Sequence, residues 1–259
     1  MNITGNTILI TGGNSGIGRG LAEALHALGN QVIIAGRRKK TLDETTTANP
    51  GIKSLIIDVA DADAIRTFAA HITTNYPELN VLINNAGIMR AENLLAQPDD
   101  LADMESTITT NLLGPIRLTA ALLPHLQKQP QATIINVSSG LAFVPLAFTP
   151  TYNATKSAIH SYTQALRFQL RETTTQVIEL IPPAVATELM PGGSSNPHYM
   201  PLNTFIAESI QLLQTQPSAT DAVGPRHGQR KGKKRYCDNA DGVQIAGAAD
   251  GLVEAPKPG

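Results

Sequence analysis

The chain has 259 residues, a length that suits a single α/β domain with one continuous core. Its 20 basic and 21 acidic residues nearly cancel, which argues against recruitment of nucleic acid or an anionic membrane by bulk charge and leaves small-molecule partners. A single cysteine, Cys237, excludes an internal disulfide and a cysteine-built zinc cluster, and the six histidines show no ligand spacing, so no metal is expected.

The first residues carry no basic region, and the run Ile8-Leu9-Ile10 is too short for a signal peptide or a membrane span, so a cytoplasmic protein is expected. Short apolar runs at 7–11, 31–35, 54–57, 81–83, 133–137 and 177–181 read as strands. They are rich in Ile, Val and Leu without period-two alternation, as expected of interior strands covered on both faces. Segments 17–28, 61–75, 101–127 and 151–173 carry helical apolar spacing between them. Strands alternating with helices predict βαβ crossovers and an α/β fold: one doubly wound, Rossmann-type parallel sheet with helices on both faces.

Directly after the first strand comes Thr11-Gly12-Gly13-Asn14-Ser15-Gly16-Ile17-Gly18, opening into a helix pattern. Glycines there let backbone N–H groups approach a pyrophosphate at the positive end of the helix, and the first βα junction is where such sheets bind dinucleotides. The second strand ends in Gly36-Arg37-Arg38, where an NAD site commonly has a carboxylate for the ribose 2′-hydroxyl. With no carboxylate to repel a 2′-phosphate and two guanidinium groups to meet it, NADP(H) is favoured over NAD(H). Asp58, after the third strand, either accepts a bond from the adenine amino group or caps the next helix.

Tyr152 and Lys156 stand four apart inside the pattern at 151–173, on one helical face a turn apart. A nearby cation is expected to lower the phenol pKa from its ordinary value near 10 and fit it for proton transfer. Ser138-Ser139 precedes this pair, and the wall Leu141, Phe143, Val144, Pro145 and Phe148 lies between.

Taken in order, the glycine turn, Asn84-Asn85-Ala86-Gly87 after the fourth strand, Asn111, Ser139, Tyr152 and Lys156 resemble the short-chain dehydrogenase/reductase family over about residues 5–190. Over 138–190, with Ile181-Pro182-Pro183-Ala184-Val185-Ala186-Thr187, the chain looks most like bacterial oxidoreductases of the teichoic-acid-operon type. The resemblance implies that Tyr152 is the general acid for carbonyl reduction, that Lys156 lowers its pKa and bonds the nicotinamide ribose, and that Ser139 holds the substrate oxygen. Asn111 would sit at a bend near Pro115 and help place a water. The residues' own alternatives are capping for Ser139 and packing for Asn111. Cofactor contacts implied are Gly12, Ser15, Gly16, Ile17, Gly18, Arg37, Arg38, Asp58, Val59, Asn85, Ala86, Gly87, Pro182, Val185 and Thr187, besides Tyr152 and Lys156, while Asn84 ties central strands together. Where the family has Pro-Gly, this chain has Pro182-Pro183.

The segment 189–213, with Met190, Tyr199, Met200, Leu202 and Phe205, is expected to be a substrate lid, and the apolar wall favours a hydrophobic carbonyl or alcohol. A homodimer or homotetramer through the helices at 101–127 and 151–173 is implied by the resemblance. The catalytic domain is placed at 1–217. From 218 the composition breaks abruptly into a basic, then Ala/Gly/Asp-rich tail that reads as poorly packed, as a shifted reading frame would produce, with activity or assembly impaired. A catalytically silent redox sensor of the same fold has no use for the full catalytic set, and a methyltransferase calls for an acidic residue where Gly36-Arg37 stands.

Overall fold

The computed structural model describes residues 1–96, 101–216 and the backbone of 221–223, all within the compact unit Met1–His227. Seven parallel strands form one sheet in the order β3-β2-β1-β4-β5-β6-β7. They are β1 (Thr7–Thr11), β2 (Gln31–Gly36), β3 (Lys53–Ile56), β4 (Leu79–Asn84), β5 (Ala132–Val137), β6 (Thr175–Ile181) and β7 (Asp221–Val223). The connecting helices are α1 (Gly16–Ala27), α2 (Lys39–Ala48), α3 (Ala62–Asn75), α4 (Ala102–Ile108), α5 (Gly114–Leu126), α6 (Pro150–Leu170) and α7 (Leu202–Thr215).

Alternate side chains of each strand feed two cores, because successive residues point to opposite faces of a pleat. Ile8, Ile10, Val32 and Ile34 pack with Leu21 and Leu25 of α1 and Phe205 and Leu213 of α7. Leu9, Ile33 and Ala35 pack on the other face with Ile65, Phe68 and Ile72 of α3, Leu118 and Leu122 of α5 and Leu166 of α6. The central strands β1, β2, β4, β5 and β6 are apolar on both sides for this reason, which is why the sequence shows no alternation there.

Several expectations need correction. β3 is the edge of the sheet rather than an interior strand; it pairs only with β2, and Lys53 and Ile56 are exposed. The helix expected over 101–127 is interrupted by a π turn at Thr109–Leu113, just ahead of Pro115, whose missing N–H and ring disfavour a regular α-helical turn before it. α2 was not legible, since its Thr-rich stretch gives only Leu42 and Thr45 to the interior. Part of the expected lid over 189–213 belongs to the core: Met200, Phe205, Ile206 and Leu213 are buried with Leu21 and Leu25 of α1, while most of 189–198 is exposed. The sheet also continues past residue 217, where β7 pairs with β6 through Glu179, Leu180 and Ile181. The rest of the expected tail lies outside the described residues.

The order reverses between β1 and β4, so the chain leaves the sheet in opposite directions there and opens a crevice beyond their C-terminal ends. Thr11 and Asn84 mark its floor.

Candidate active site

At the crevice, Thr11 works as a hinge between two loops. Its hydroxyl accepts from Asn85 N at 3.0 Å and Ala86 N at 3.1 Å, while Asn85 Nδ2 donates back to Thr11 O at 2.9 Å. This lashes the loop after β4 to the glycine turn. Gly12 has a φ of 67°, which favours glycine, and a Cβ on Gly18 would stand 2.3 Å from both Asn85 Nδ2 and Gly12 O. The close approach of these segments leaves no room for a side chain. Ser15 is the N-cap of α1 in extended conformation but makes no side-chain cap bond to the helix, so the first N–H groups of α1 are not used up by it. Gly16 faces Thr187, and Ile17 packs partly into the core.

The positive end of the crevice is built from β2 and the loop after β3. Arg38 Nη2 donates to Ser15 Oγ at 3.3 Å, which holds it across the glycine turn. Arg37 Nη1 stands 3.7 Å from Asp58 Oδ2, both half-exposed, and Asp58 Oδ1 accepts from Ala60 N at 2.9 Å. The helix-capping alternative for Asp58 fails, because Asp61 caps α3 by accepting from the N–H groups of Asp63 and Ala64. Val59 is buried in the core, with its carbonyl against Gly114 of α5. Asn14 was missed by the sequence reading; buried, it donates from Nδ2 to Thr41 Oγ1 at 2.5 Å and so joins the turn to α2. Its position between the two glycine pairs was the available signal.

β5 and α6 supply the catalytic candidates. Ser139 follows β5 by two residues in extended conformation, and its hydroxyl accepts from Leu141 N at 3.1 Å, capping the 3-10 turn Gly140–Ala142. The same side chain shares a hydrogen bond with Tyr152, so the capping alternative and the site role coexist. Lys156 Nζ donates to Val137 O at 2.8 Å and lies 5.5 Å from the centre of the Tyr152 ring. Tyr152, Lys156 and Ser139 are all buried. Ser138 Oγ is buried with no hydrogen-bond partner among the described residues.

The electrostatics reverse one expectation. Burial pushes the Tyr152 phenol up to about 12, and the bond from Ser139 pulls only part of the way back. Burial also brings Lys156 down to about 8, with the Glu179 carboxylate opposing the fall. Desolvation therefore sets the direction of the phenol's shift, against the expected lowering. Near neutral pH the pair stands as a neutral proton donor beside a charged ammonium.

Asn111 lies in the π turn with its carboxamide fully engaged: Oδ1 accepts from Ile88 N at 2.8 Å, and Nδ2 donates to Ile88 O at 2.8 Å and Thr155 Oγ1 at 3.3 Å. It clasps the loop after β4 to α6 beside Lys156, with Gly87 tight against it. Asn84 does join strands, donating to Asn136 Oδ1 on β5 at 2.8 Å and Thr119 Oγ1 at 3.0 Å. The loop after β6 closes the site. Pro182 O accepts from Gly140 N at 2.9 Å, so this carbonyl still holds the catalytic turn despite Pro183. Val185 is buried against Met200, and Thr187 meets the glycine turn at Gly16.

The exposed apolar side chains Leu94 and Leu95, Val144 and Phe148, and Leu189 sit in the loops after β4, β5 and β6. Two of these loops are tied by Glu92, whose N–H donates to Phe148 O at 2.9 Å and whose carboxylate accepts from Thr151 N at 3.0 Å and Thr151 Oγ1 at 2.7 Å. In the third, the Glu188 carboxylate gathers Gly192 N at 3.0 Å together with the Ser194 N–H and hydroxyl, which hold it below its usual range. Among the described residues no cluster of three His, Cys, Asp or Glu is placed to hold a metal, and no helix is long and apolar enough to cross a membrane.

A glycine turn too tight for side chains, helix N–H groups left uncapped by Ser15 and two arginines at the β2 end fit a dinucleotide. The comparisons agree. Residues 6–197 match the family model described as short chain dehydrogenase. An uncharacterized oxidoreductase of Bacillus subtilis, DltE, is 46% identical over 189 residues, covering 73% of this chain and 75% of that protein. The NADPH-dependent 1-acyldihydroxyacetone phosphate reductase of Schizosaccharomyces pombe is 33% identical, over 85% of this chain and 77% of its own. A short chain dehydrogenase from Burkholderia cenocepacia, solved in complex with NADP, superposes with a TM-score of 0.75 at 25% identity, covering 87% and 90% of the two chains. With the crevice, the Ser139–Tyr152–Lys156 cluster and these likenesses in hand, the chain belongs to the short-chain dehydrogenase/reductase family of oxidoreductases, whose fold binds nicotinamide cofactors.

Proposed function

We propose that the protein is an NADP(H)-dependent oxidoreductase that moves a hydride between the nicotinamide and a small hydrophobic carbonyl or alcohol, with Tyr152 as general acid in reduction and base in oxidation. The observation that carries this reading is the buried cluster in which Ser139 shares a hydrogen bond with Tyr152 and Lys156 stands 5.5 Å from its ring. A phenol near 12 keeps its proton at neutral pH, so Tyr152 is ready to donate to a carbonyl oxygen seated between it and Ser139. Lys156, still charged below about 8, stabilises the phenolate left behind. NADPH, when bound, supplies the hydride. Asn111 acts as a positioning residue, holding Ile88 and Thr155 at the base of the cluster.

Preference for the phosphorylated cofactor rests on Arg37 and Arg38. The Arg37–Asp58 pair is exposed and 3.7 Å apart, a weak contact that a phosphate dianion would replace. The NADPH dependence of the fission-yeast relative supports the same choice. Apolar side chains from three loops rim the catalytic end of the sheet and suit a substrate with a hydrocarbon portion, in keeping with the acylated ketone named for that relative. A cytoplasmic homodimer or homotetramer completes the proposal.

Fluorescence titration with NADPH and, in parallel, NADH tests it, and the chain's lack of tryptophan simplifies the signal. NADPH is expected to bind about tenfold or more tightly than NADH, the effect of one to two charge-assisted hydrogen bonds. Equal affinities would overturn the preference.

A further inference from the structure

Within the buried strand β6, one residue is acidic. Glu179 has no solvent exposure, and a carboxylate taken from water into a protein interior is costly unless something there needs it. Its Oε2 receives a 2.8 Å bond from His160 Nδ1 on α6, while Oε1 has no hydrogen-bond partner among the described residues. One bond from a partly exposed imidazole is scant compensation.

Position explains what else it serves. Lys156 and His160 are four apart on α6, so both present to the sheet face that α6 covers. Lys156 reaches Val137 O on β5, and the register partner of the preceding residue, Asn136, is Glu179 on β6. Neighbouring strands lie about 4.8 Å apart, so the carboxylate is on the next strand from the point where the ammonium docks. Lys156 is buried and donates one hydrogen bond among the described residues, to Val137 O, and the Glu179 charge opposes the loss of its proton. The other charged or titratable groups on this face are Tyr152 and Arg167 of α6, the latter bonded to Val177 O, and Asp221 of β7 is the register neighbour on the far side. From β5 the facing side chain is neutral Asn136, held by Thr163, and the loop after β5 contributes the Phe143 ring, packed edge-on against His160 at 4.6 Å.

We propose that Glu179 is a positioning residue for catalysis, an internal counter-charge that keeps Lys156 protonated, and that His160 locks its carboxylate in place. The proposal rests on the catalytic reading of Tyr152 and Lys156 above. Without the counter-charge, burial alone would discharge the lysine in the neutral range, and the phenolate would lose its stabilising cation. Reduction would then fail on the alkaline side at a lower pH.

The lysine can be followed directly by carbon-13 NMR of protein labelled at the lysine ε-carbons, with the Lys156 signal assigned by its loss in K156R. In E179Q the Lys156 midpoint is expected to fall by about one pH unit or more, with the alkaline limb of kcat for carbonyl reduction moving with it. E179D keeps the charge but draws it back from the imidazole by one methylene, and its midpoint should fall between the two. A wild-type midpoint in E179Q, or in E179D if E179Q does not fold, overturns the proposal. Because the NMR readout needs no turnover, an unreactive wild-type protein whose lysine midpoint still follows Glu179 would sink the catalytic reading and leave the counter-charge standing.

Discussion

In the proposed reaction Tyr152 is the proton donor, and burial has made its proton hard to lose. Its phenol ionises near 12 rather than 10, so between those values the folded state keeps a proton that the unfolded chain has released. The stability this group contributes is therefore complete below pH 10 and is lost as pH rises through 12. An absorbance titration of the chain's five tyrosines should show a phenolate appearing near pH 12 that is missing in Y152F. Its appearance at pH 10 would contradict the account of burial. At the other end of the crevice, R37E should weaken NADPH about 10–100-fold and leave NADH nearly unchanged, since one charge-assisted contact is exchanged for a repulsion. Equal losses for both cofactors would mean that Arg37 acts on the fold and not on the 2′-phosphate.

At the scale of elements, the proposed cofactor site is held by backbone close approaches rather than by long side chains. The loop after β4 lies so near the glycine turn that G18A should lower NADPH affinity by about 10–100-fold and reduce the melting temperature, the effect of forcing one methyl into a filled contact. α7 contributes through packing: F205A should cost about 3–5 kcal/mol, read by denaturant unfolding, because the ring is fully buried between α7 and α1. This is also where the sequence was hardest to read. β1, β2, β5 and β6 and helices α1, α3 and α6 were legible from Ile, Val and Leu runs and helical spacing, as were Tyr152, Lys156 and the glycine turn. Met200 and Phe205 looked like lid residues because nothing local distinguishes an apolar side chain over a ligand from one under a helix. The edge position of β3 depends on long-range strand order, which no window of sequence contains. Glu179 did leave a trace, an acid inside Val177-Ile178-Glu179-Leu180-Ile181, but its meaning needed the register with β5 and the facing turn of α6.

For the whole molecule, strand order gathers residues more than a hundred positions apart. Reversal between β1 and β4 opens the crevice, and the π turn before α5 and the loops after β5 and β6 bring Asn111, Ser139 and Thr187 to the same end of the sheet as the glycine turn. Sedimentation of the intact chain should give a mass two or four times its 27.4 kDa, and a monomer would remove the proposed assembly. The central claim, that this convergence makes Tyr152 the proton donor to a carbonyl, is tested most directly by comparing NADPH oxidation by the native protein and by Y152F across a panel of hydrophobic ketones. Native protein is expected to turn over at least one of them, and Y152F to lose about 100- to 10,000-fold in rate while NADPH binding stays within about threefold. Turnover that survives the substitution unchanged would contradict the account.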